Sequence, residues 1–289
     1  FCTTADAFRK FLKQNKLVEP LTNLLAKLDR TTYSNLPQIG EQARGLLMSA
    51  KLPEDLENEI LAAYWQLCNI YGANTDVAVR SSATAEDLPN ASFAGQHESY
   101  LNISGDAMLL ESVKECMASL FTDRAIKYRE DNHFDHMQVA LSAGIQKMVR
   151  SDVGASGVAF TLEPETGFRD VVLVTAIWGL GENIVQGTVN PDEYYVFKPT
   201  FLKGKNGIIS KKLGSKAKTM IYATHIDHEP GLSTINTDTK PEKQEQLVLS
   251  DKEINQMAAW CMTIEKHYEK PMDIEWAKDG ITGDMFIVQ

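Results

Sequence analysis

The stretch from Val77 to Gln96 constrains the fold of this chain more than any other part of the sequence. It reads VAVRSSATAEDLPNASFAGQ. The opening valines favour a β-strand that ends at Arg80. The serines, threonine, proline and glycine that follow are typical of a polar loop with a flexible tip. The sequence therefore predicts a strand that delivers an arginine to a loop rich in hydroxyl groups.

The residues alone leave two interpretations of this loop open. A guanidinium can bind phosphate oxygens in a planar, bidentate way, and hydroxyl groups and turn amides can bind the remaining oxygens. In this interpretation the stretch is a polyphosphate site with a glycine-containing flap. In the other, Arg80 pairs with Glu86 or Asp87 on the surface of the protein.

The composition is that of a globular chain with a negative net charge. Its 289 residues are enough for two lobes, each with a core of its own. Hydrophobic residues make up 43% of the chain and charged residues 24%, and the net charge is −10. We therefore expect neither nucleic acid nor an anionic membrane as a partner.

The cysteines and the apolar runs bear on the cellular compartment. The 4 cysteines are widely scattered, which predicts buried thiols and not a disulfide framework or a metal site. No apolar run approaches the roughly 20 residues of a membrane span, and the start lacks a signal-peptide pattern. We expect a cytoplasmic protein. Because the sequence opens at Phe1 and stops in a strand pattern, we also expect a piece of a longer protein.

Hydrophobic periodicity divides the chain into two lobes of mixed helices and strands. Helical patterns dominate the first part and include one long helix predicted from Asp106 to about Glu130. The period changes at residues 139–149, which are predicted to form a hairpin with residues 158–161. We expect an α+β fold, with a first lobe over residues 1–143 and a second over residues 144–289.

Two features of the second lobe have weaker interpretations. A strand predicted at residues 171–174 leads to Gly179-Leu-Gly181, but Ile184 stands where a dinucleotide-binding fingerprint needs its third glycine. The lysines of residues 203–218 are interpreted as a solvated face, although they could attract phosphate. Residues 247–249 are predicted to form a short strand ahead of a helix with a capping box.

The chain ends in a predicted hairpin with strands at residues 272–276 and 286–289. Asp273 and Glu275 share one face of the first strand, while the residues between them face the core. Gln289 lies across the hairpin from that acidic face. A carboxylate and an amide oxygen beside a polyphosphate can bind magnesium, which prefers hard oxygen ligands shared with phosphates. The alternative is an edge hairpin with solvated acids.

Three segments carry a family resemblance. The stretch VRSSATAEDLPNASFAGQ resembles the ATP-binding signature of the phosphoenolpyruvate synthase (pyruvate, water dikinase) family, which is shared with pyruvate phosphate dikinase and rifampicin phosphotransferase. The segments LGENIVQGTVNPDEYYVFKP and DIEWAKDG…FIVQ are similar to the same group, and the first favours phosphoenolpyruvate synthase within it. The resemblance implies an ATP-grasp fold, in which two α+β lobes enclose the nucleotide.

The resemblance also implies a set of site residues. By position in the motifs, Arg80 would bind the phosphates as the catalytic residue, and Gln146 would lie near the adenine. The site would further be lined by Gly95, Ser99 and Tyr100, and Glu275 and Gln289 would bind Mg²⁺ and ATP. Two elements of the family pattern do not occur in this sequence, an upstream glycine-rich segment with a phosphate-binding lysine and an arginine shortly after the closing glutamine.

The implied parent reaction converts ATP, pyruvate and water into AMP, phosphoenolpyruvate and phosphate. It would proceed through a histidine on a separate swivelling domain, with pyruvate on a third domain. None of the 6 histidines lies in the Gly-Gly-x-Thr-x-His context of such a carrier. Two alternatives stay open: the ATP domain of a rifampicin-type phosphotransferase or pyruvate phosphate dikinase, and a non-catalytic nucleotide sensor or interaction module.

Two histidine pairs have a spacing that could suit a metal. They are His133 with His136 and His225 with His228. Neither pair has a nearby cysteine or a convincing third ligand, whereas structural zinc normally has four ligands. We therefore interpret them as solvated histidines and assign no catalytic histidine.

Overall fold

The computed structural model describes residues 1–84, 87–88, 91–92, 99–223 and 234–289. The chain divides into two compact units, Phe1–Met148 and Val149–Gln289. The division falls after Met148 and not after residue 143, because a strand that ends at Lys147 pairs along its whole length within the first unit. Helices and antiparallel strands occur in both units, which confirms the predicted mixture of α and β structure. Enclosure of a nucleotide by two lobes stays a prediction.

The first unit packs helices against one face of an antiparallel sheet. Its helices are α1 (Ala5–Gln14), α2 (Val18–Leu25), α3 (Leu36–Ser49), α4 (Glu54–Tyr71), α5 (Asp106–Ala118) and α6 (Asp123–Asp131). Its strands are β1 (Val77–Ala83), β2 (Asp87–Leu88), β3 (Ala91–Ser92), β4 (Ser99–Ile103) and β5 (Leu141–Lys147). Strands β4, β1 and β5 form a sheet in that order. Val77 and Val79 pack with helical side chains such as Phe11 and Met117, so this face of the sheet forms the core.

The long helix predicted from Asp106 to about Glu130 is wrong, because the structure has two helices there. A 3₁₀ turn at Ser119–Phe121 separates α5 from α6. Thr122 then has an extended backbone, and its side-chain oxygen accepts a hydrogen bond from the amide of Ala125 at 3.3 Å. A threonine in this role begins a helix and does not continue one. Apolar spacing alone missed the break, since both helices bury apolar residues in one core.

The second unit is built on a six-stranded antiparallel sheet. Its strands are β6 (Ala155–Phe160), β7 (Val171–Trp178), β8 (Asp192–Phe197), β9 (Ile208–Lys212), β10 (Lys218–Tyr222), β11 (Thr234–Asp238), β12 (Asp273–Lys278) and β13 (Met285–Ile287). Its helices are α7 (Glu182–Val185), α8 (Lys198–Phe201), α9 (Pro241–Gln244) and α10 (Asp251–Tyr268). The sheet order is β13-β12-β6-β7-β8-β9, and β10 pairs separately with β11. The long helix α10 starts at the predicted capping box of Ser250 and Glu253 and packs on one face of the sheet.

The predicted hairpin between residues 139–149 and 158–161 is wrong. Strand β5 pairs with β1, whereas β6 pairs with β12 and β7. A 3₁₀ turn at Ser151–Val153 separates β5 from β6 and redirects the chain. The closing hairpin of β12 and β13 is confirmed, with Trp276 opposite Ile287.

A buried carboxylate organises the second unit. Asp192 is fully buried and accepts hydrogen bonds from the ammonium group of Lys216, from the amides of Gly214 and Val248 and from the hydroxyl of Tyr194. The ammonium group of Lys216, also fully buried, donates to the carbonyl of Gly214 at 2.8 Å as well. Every charge of this pair is therefore matched by a partner inside the protein.

The same carboxylate explains a failed strand prediction. Residues 247–249 are not a strand, since the amide of Val248 donates to Asp192 at 2.8 Å and that of Leu249 to the hydroxyl of Tyr194 at 3.1 Å. Apolar side chains are buried there, as a strand pattern requires, but side chains of β8 replace the neighbouring strand as hydrogen-bond partners.

The cysteines are free thiols, and the prediction that they are buried holds for two of them. Cys116 and Cys261 are buried, and burial raises the pKa of Cys261 to about 12. Cys68 is half-buried and Cys2 is exposed. Across the residues that the structure describes, none of the helices has the length and apolar character to cross a membrane.

We expect Asp192→Asn to destabilise the protein strongly. The substitution keeps the shape but leaves the ammonium group of Lys216 buried without a countercharge, which typically costs about 3–5 kcal/mol. Urea denaturation followed by tryptophan fluorescence measures the effect. Lys218→Ala, which removes an exposed ion pair with Asp238, is the matched control and should move the midpoint little. A small shift for both variants would contradict the role assigned to Asp192.

Candidate functional site

Strand register brings three of the predicted site residues together in the first unit. Arg80 on β1 lies directly opposite Ser99 on β4 and Gly144 on β5. Gln146 lies opposite Ala78, which is two residues before Arg80 on the same strand. Directly opposed residues of an antiparallel pair share a face, as do residues two apart. Arg80, Ser99 and Gln146 therefore share the sheet face that is not packed against the helices.

This face carries exposed polar groups beside the arginine. Ser99 and Gln146 are exposed and Arg80 is half-buried. Ser82 shares the face by alternation and is exposed, whereas Ser81 alternates toward the core. Sequence reasoning treated the two serines alike, and the alternation along β1 is the signal that separates them.

Tyr100, predicted to line the same site, lies on the opposite face. It pairs with Val79, which is fully buried, and packs against the hydrophobic core. There it also lines a cavity of about 460 Å³ with Arg44 of α3 and Arg124 of α6. Any effect of Tyr100 on the face of Arg80 would therefore pass through its neighbour Ser99.

Part of the predicted loop lies outside the described residues. This applies to Gly95 and to Glu86, while for Asp87 only the backbone is described. The alternative in which Arg80 pairs with one of these acids therefore stays a prediction, as does the role of the glycine flap.

The closing hairpin brings Glu275 and Gln289 side by side in the second unit. The amides of Val288 and Gln289 both donate to the carbonyl of Glu275, at 2.9 and 3.3 Å, and the amide of Glu275 donates to the carbonyl of Gln289 at 2.8 Å. Two residues of one strand thus oppose one residue of the other, which is a β-bulge, a device that redirects side chains. The bulge places Gln289 directly beside Glu275.

The acidic face of this hairpin is the one predicted. Ile274 and Trp276 are buried in the core beneath α10, so Asp273 and Glu275 alternate to the other face. Asp273 is exposed and Glu275 half-buried. A carboxylate and an amide oxygen on adjacent strands are hard oxygen donors of the kind that Mg²⁺ takes together with substrate phosphates. The donor set therefore fits this metal.

No ready-made metal cage of three or more acidic, histidine or cysteine side chains exists within the described part of the chain. The interpretation of His133 and His136 as solvated histidines is wrong for His136, whose side chain is only 10% exposed, whereas His133 is exposed. His136 accepts a hydrogen bond from Nε of Arg129 through Nδ1, at 2.8 Å, and its Nε2 lies 2.7 Å from Glu130. Both ring nitrogens are therefore engaged. The second pair, His225 and His228, lies outside the described residues.

The Gly179-Leu-Gly181 motif has a structural role. Gly179 has a positive φ of 87°, and a Cβ there would lie 2.4 Å from the carbonyl oxygen of Met220. The helix after Gly181, α7, spans only Glu182–Val185. The glycine is required because two backbone segments approach closely, and no dinucleotide fingerprint follows from it.

Comparison with known proteins identifies the family. The whole chain, residues 1–289, matches the family described as pyruvate phosphate dikinase, AMP/ATP-binding domain. The chain belongs to this family. It is 51% identical to phosphoenolpyruvate synthase of Neisseria meningitidis, 50% identical to that of Synechocystis sp. and 48% identical to that of Escherichia coli. In each comparison the whole of this chain is matched. The resemblance found in the signature loop and the closing hairpin is thereby confirmed.

The chain spans 36% of the length of these three relatives. Membership of the pyruvate phosphate dikinase AMP/ATP-binding domain family makes adenine nucleotides the ligand class of the domain.

We expect the stability of the domain to fall as the pH drops below about 6.5, the usual pKa of histidine. Burial and the guanidinium of Arg129 hold the pKa of His136 below that value, against the opposing pull of Glu130. The unfolded chain therefore takes up this proton at a higher pH than the folded chain does. The stability that neutral His136 contributes is complete above the usual pKa of histidine and is lost as the pH falls through the lower pKa of the folded state.

Thermal denaturation between pH 5.5 and 8 measures this loss. The matched variant is His136→Asn, which does not titrate and offers an oxygen to Arg129. Its melting temperature should depend less on pH than that of the wild type. Equal slopes for the two proteins would show that another group controls the acid sensitivity.

Proposed function

We propose that this domain binds ATP with Mg²⁺ and aligns the terminal phosphates for transfer. The observation that carries the proposal is the shared face of Arg80, Ser99 and Gln146, set by the register of β4, β1 and β5. Phosphoryl transfer asks a protein chiefly for positioning and charge neutralisation. An arginine held on a rigid strand is suited to both tasks, because its position is fixed by the sheet and its charge is permanent.

The spacing on this face suits a nucleotide. Gln146 lies opposite the residue two before Arg80, a separation of about 7 Å along the strand. That is on the scale of the ribose that joins a base to its phosphates. We assign the base to the region of Gln146 and the phosphates to Arg80, with the hydroxyl of Ser99 and the flap around Gly95 completing the phosphate contacts. Tyr100 supports Ser99 from the core side.

Glu275 and Gln289 would hold the metal. Bound there, Mg²⁺ would neutralise part of the phosphate charge and fix the orientation of the phosphates. The carboxylate of Glu275 supplies the negative charge that retains the cation, and the amide oxygen of Gln289 supplies a neutral ligand beside it. Because only these two side chains are assigned as ligands, the remaining positions fall to phosphate oxygens and water.

For the whole protein we propose phosphoenolpyruvate synthesis. ATP, pyruvate and water would give AMP, phosphoenolpyruvate and phosphate in the cytoplasm. A histidine on a swivelling domain of the parent chain would accept the phosphoryl group at the ATP site. The histidine would then transfer that group to pyruvate on a pyruvate-binding domain. Full-length relatives with this name, about 50% identical, support the assignment. Pyruvate phosphate dikinase activity is the second candidate, favoured by the description of the family. Whether water or phosphate is the co-substrate that drives AMP formation from ATP and pyruvate in the parent protein distinguishes the two.

We expect Arg80→Ala to weaken ATP binding by about 10- to 100-fold, since a hydrogen bond to a charged group contributes about 1.5–3 kcal/mol. Isothermal titration calorimetry of the chain with Mg-ATP measures the affinity. Arg9→Ala, which removes an arginine from an exposed ion pair of the same unit, is the control and should bind as the wild type does. Unchanged ATP affinity in Arg80→Ala would contradict the proposal and favour the alternative in which Arg80 pairs with an acidic residue on the protein surface.

Glu275→Gln should remove the dependence of ATP affinity on magnesium. The substitution keeps the size of the side chain but removes the charge that retains the cation. Titrations in magnesium and in EDTA give the dependence, and Asp284→Asn on the exposed turn of the same hairpin is the matched control. A magnesium dependence equal to that of the wild type would exclude Glu275 as a ligand.

A further inference from the structure

The segment that opens the second unit, residues 149–154, packs directly on the turn of the closing hairpin. The carbonyl of Arg150 accepts a hydrogen bond from the amide of Gly280 at 3.0 Å, and the amide of Arg150 donates to the carboxylate of Asp279 at 3.4 Å. A Cβ on Gly154 would lie 2.2 Å from the carbonyl oxygen of Lys278, and one on Gly280 would lie 2.3 Å from that of Val153. The two backbones therefore touch, with no room for side chains between them.

The side chain of Arg150 is itself held on two sides. Its Nε and Nη2 donate to the two carboxylate oxygens of Asp152 at 2.8 and 2.9 Å, a planar bidentate pair. Asp152 is only 5% exposed, and the guanidinium stacks over the ring of Tyr222 with its central carbon 5.3 Å from the ring centroid. The arginine thus links the opening segment, strand β10 and, through its backbone, the hairpin.

Asp279 extends this contact through the turn. Its carboxylate accepts hydrogen bonds from the amides of Ile281 and Thr282, at 2.8 and 3.0 Å, and its own amide donates to the carbonyl of Asp284 at 2.8 Å. The turn therefore has a single fixed shape, and Arg150 fixes its place. From Asp279, strand β12 leads back over about 13 Å to Glu275.

We propose that Arg150 is a positioning residue for the metal ligands Glu275 and Gln289. This inference rests on the proposed function. Ile274, Trp276 and Met285 hold one face of the hairpin in the core beneath α10. Lys278 pairs with Glu253 of the same helix, so the turn that follows Lys278 is the part of the hairpin held by residues 149–154. The pair with Asp152 and the stack on Tyr222 hold residue 150 in place, and its backbone in turn holds the turn through Asp279 and Gly280, so the two oxygen ligands keep one orientation. Ligand orientation by outer contacts is a general requirement of metal sites.

The guanidinium is needed for its geometry as well as its charge. A lysine keeps the positive charge and part of the aliphatic stem but cannot make the planar, two-bond contact with Asp152 or stack on Tyr222 in the same way. Arg150→Lys therefore loosens the anchor without burying an unpaired carboxylate. Arg169→Lys, at an exposed arginine of the same unit, is the matched control.

The test measures ATP affinity of the 289-residue chain by calorimetry, with magnesium and with EDTA. In Arg150→Lys we expect the gain in ATP affinity that magnesium provides to fall about tenfold. This is the lower end of the loss that follows mutation of residues that orient metal ligands. The affinity in EDTA should stay within about twofold, because the arginine face of the first unit is unchanged. Hydrogen exchange, without any ligand, should be faster at the amides of Gly280, Gly283 and Val288.

The outcomes separate this inference from the proposed function. A wild-type chain that gains no affinity from magnesium overturns the proposed function, and this inference with it. A wild-type chain that gains affinity, with Arg150→Lys gaining as much, overturns only the role of Arg150. Equal losses in magnesium and in EDTA would assign Arg150 a purely structural role and also overturn it.

Discussion

The register of strand β1 is the constraint on which the arginine face depends. Val77 and Val79 are fully buried in the core of the first unit, and a slip of one residue would move them to the polar face and drive Arg80 into the core. The free-energy cost of burying an unpaired guanidinium is far larger than any gain from new contacts in the slipped register. Because β4 and β5 are registered on β1, the same two valines also decide where Ser99 and Gln146 lie. The candidate site is thus placed by apolar packing on the reverse side of the sheet.

The closing hairpin follows the same logic with one addition. Ile274 and Trp276 fix the face of β12, so Glu275 must lie on the other. Alternation alone would place Val288 opposite Glu275, and the bulge brings Gln289 there as well. In each unit a buried apolar alternation thus presents polar groups on the opposite face, and the hairpin adds a local irregularity at Gln289, the proposed second ligand.

The features that followed from sequence were those set by local pattern. The β-favouring valines predicted strand β1, although its continuation from Arg80 to Ala83 was missed. Turn residues predicted the closing hairpin, alternation predicted its acidic face, the capping box predicted the start of α10, and the motifs predicted the family. The failures came from contacts between distant residues or from competing polar groups. Thr122 breaks a continuous apolar stripe with a cap, and residues 247–249 use side chains of β8 in place of a strand. No pattern within a window of sequence shows that Asp192 and Lys216 meet, because the two residues lie far apart in the chain. The connection between them also includes a left-handed backbone conformation at Lys216, with φ of 42°, which its residue type does not predict.

Net charge explains why the proposed site needs both of its halves. A chain with a net charge of −10 repels a polyphosphate at long range, and salt screens that repulsion only beyond about 8 Å. Attraction must therefore act at contact distance, where a fixed guanidinium makes two directed bonds to phosphate oxygens. A single arginine leaves most of the phosphate charge unbalanced, and the acidic hairpin would add to it unless a cation lies between carboxylate and phosphate. On an acidic domain, the proposal that Arg80 and Glu275 serve one ligand therefore requires that the ligand bring a divalent cation with it.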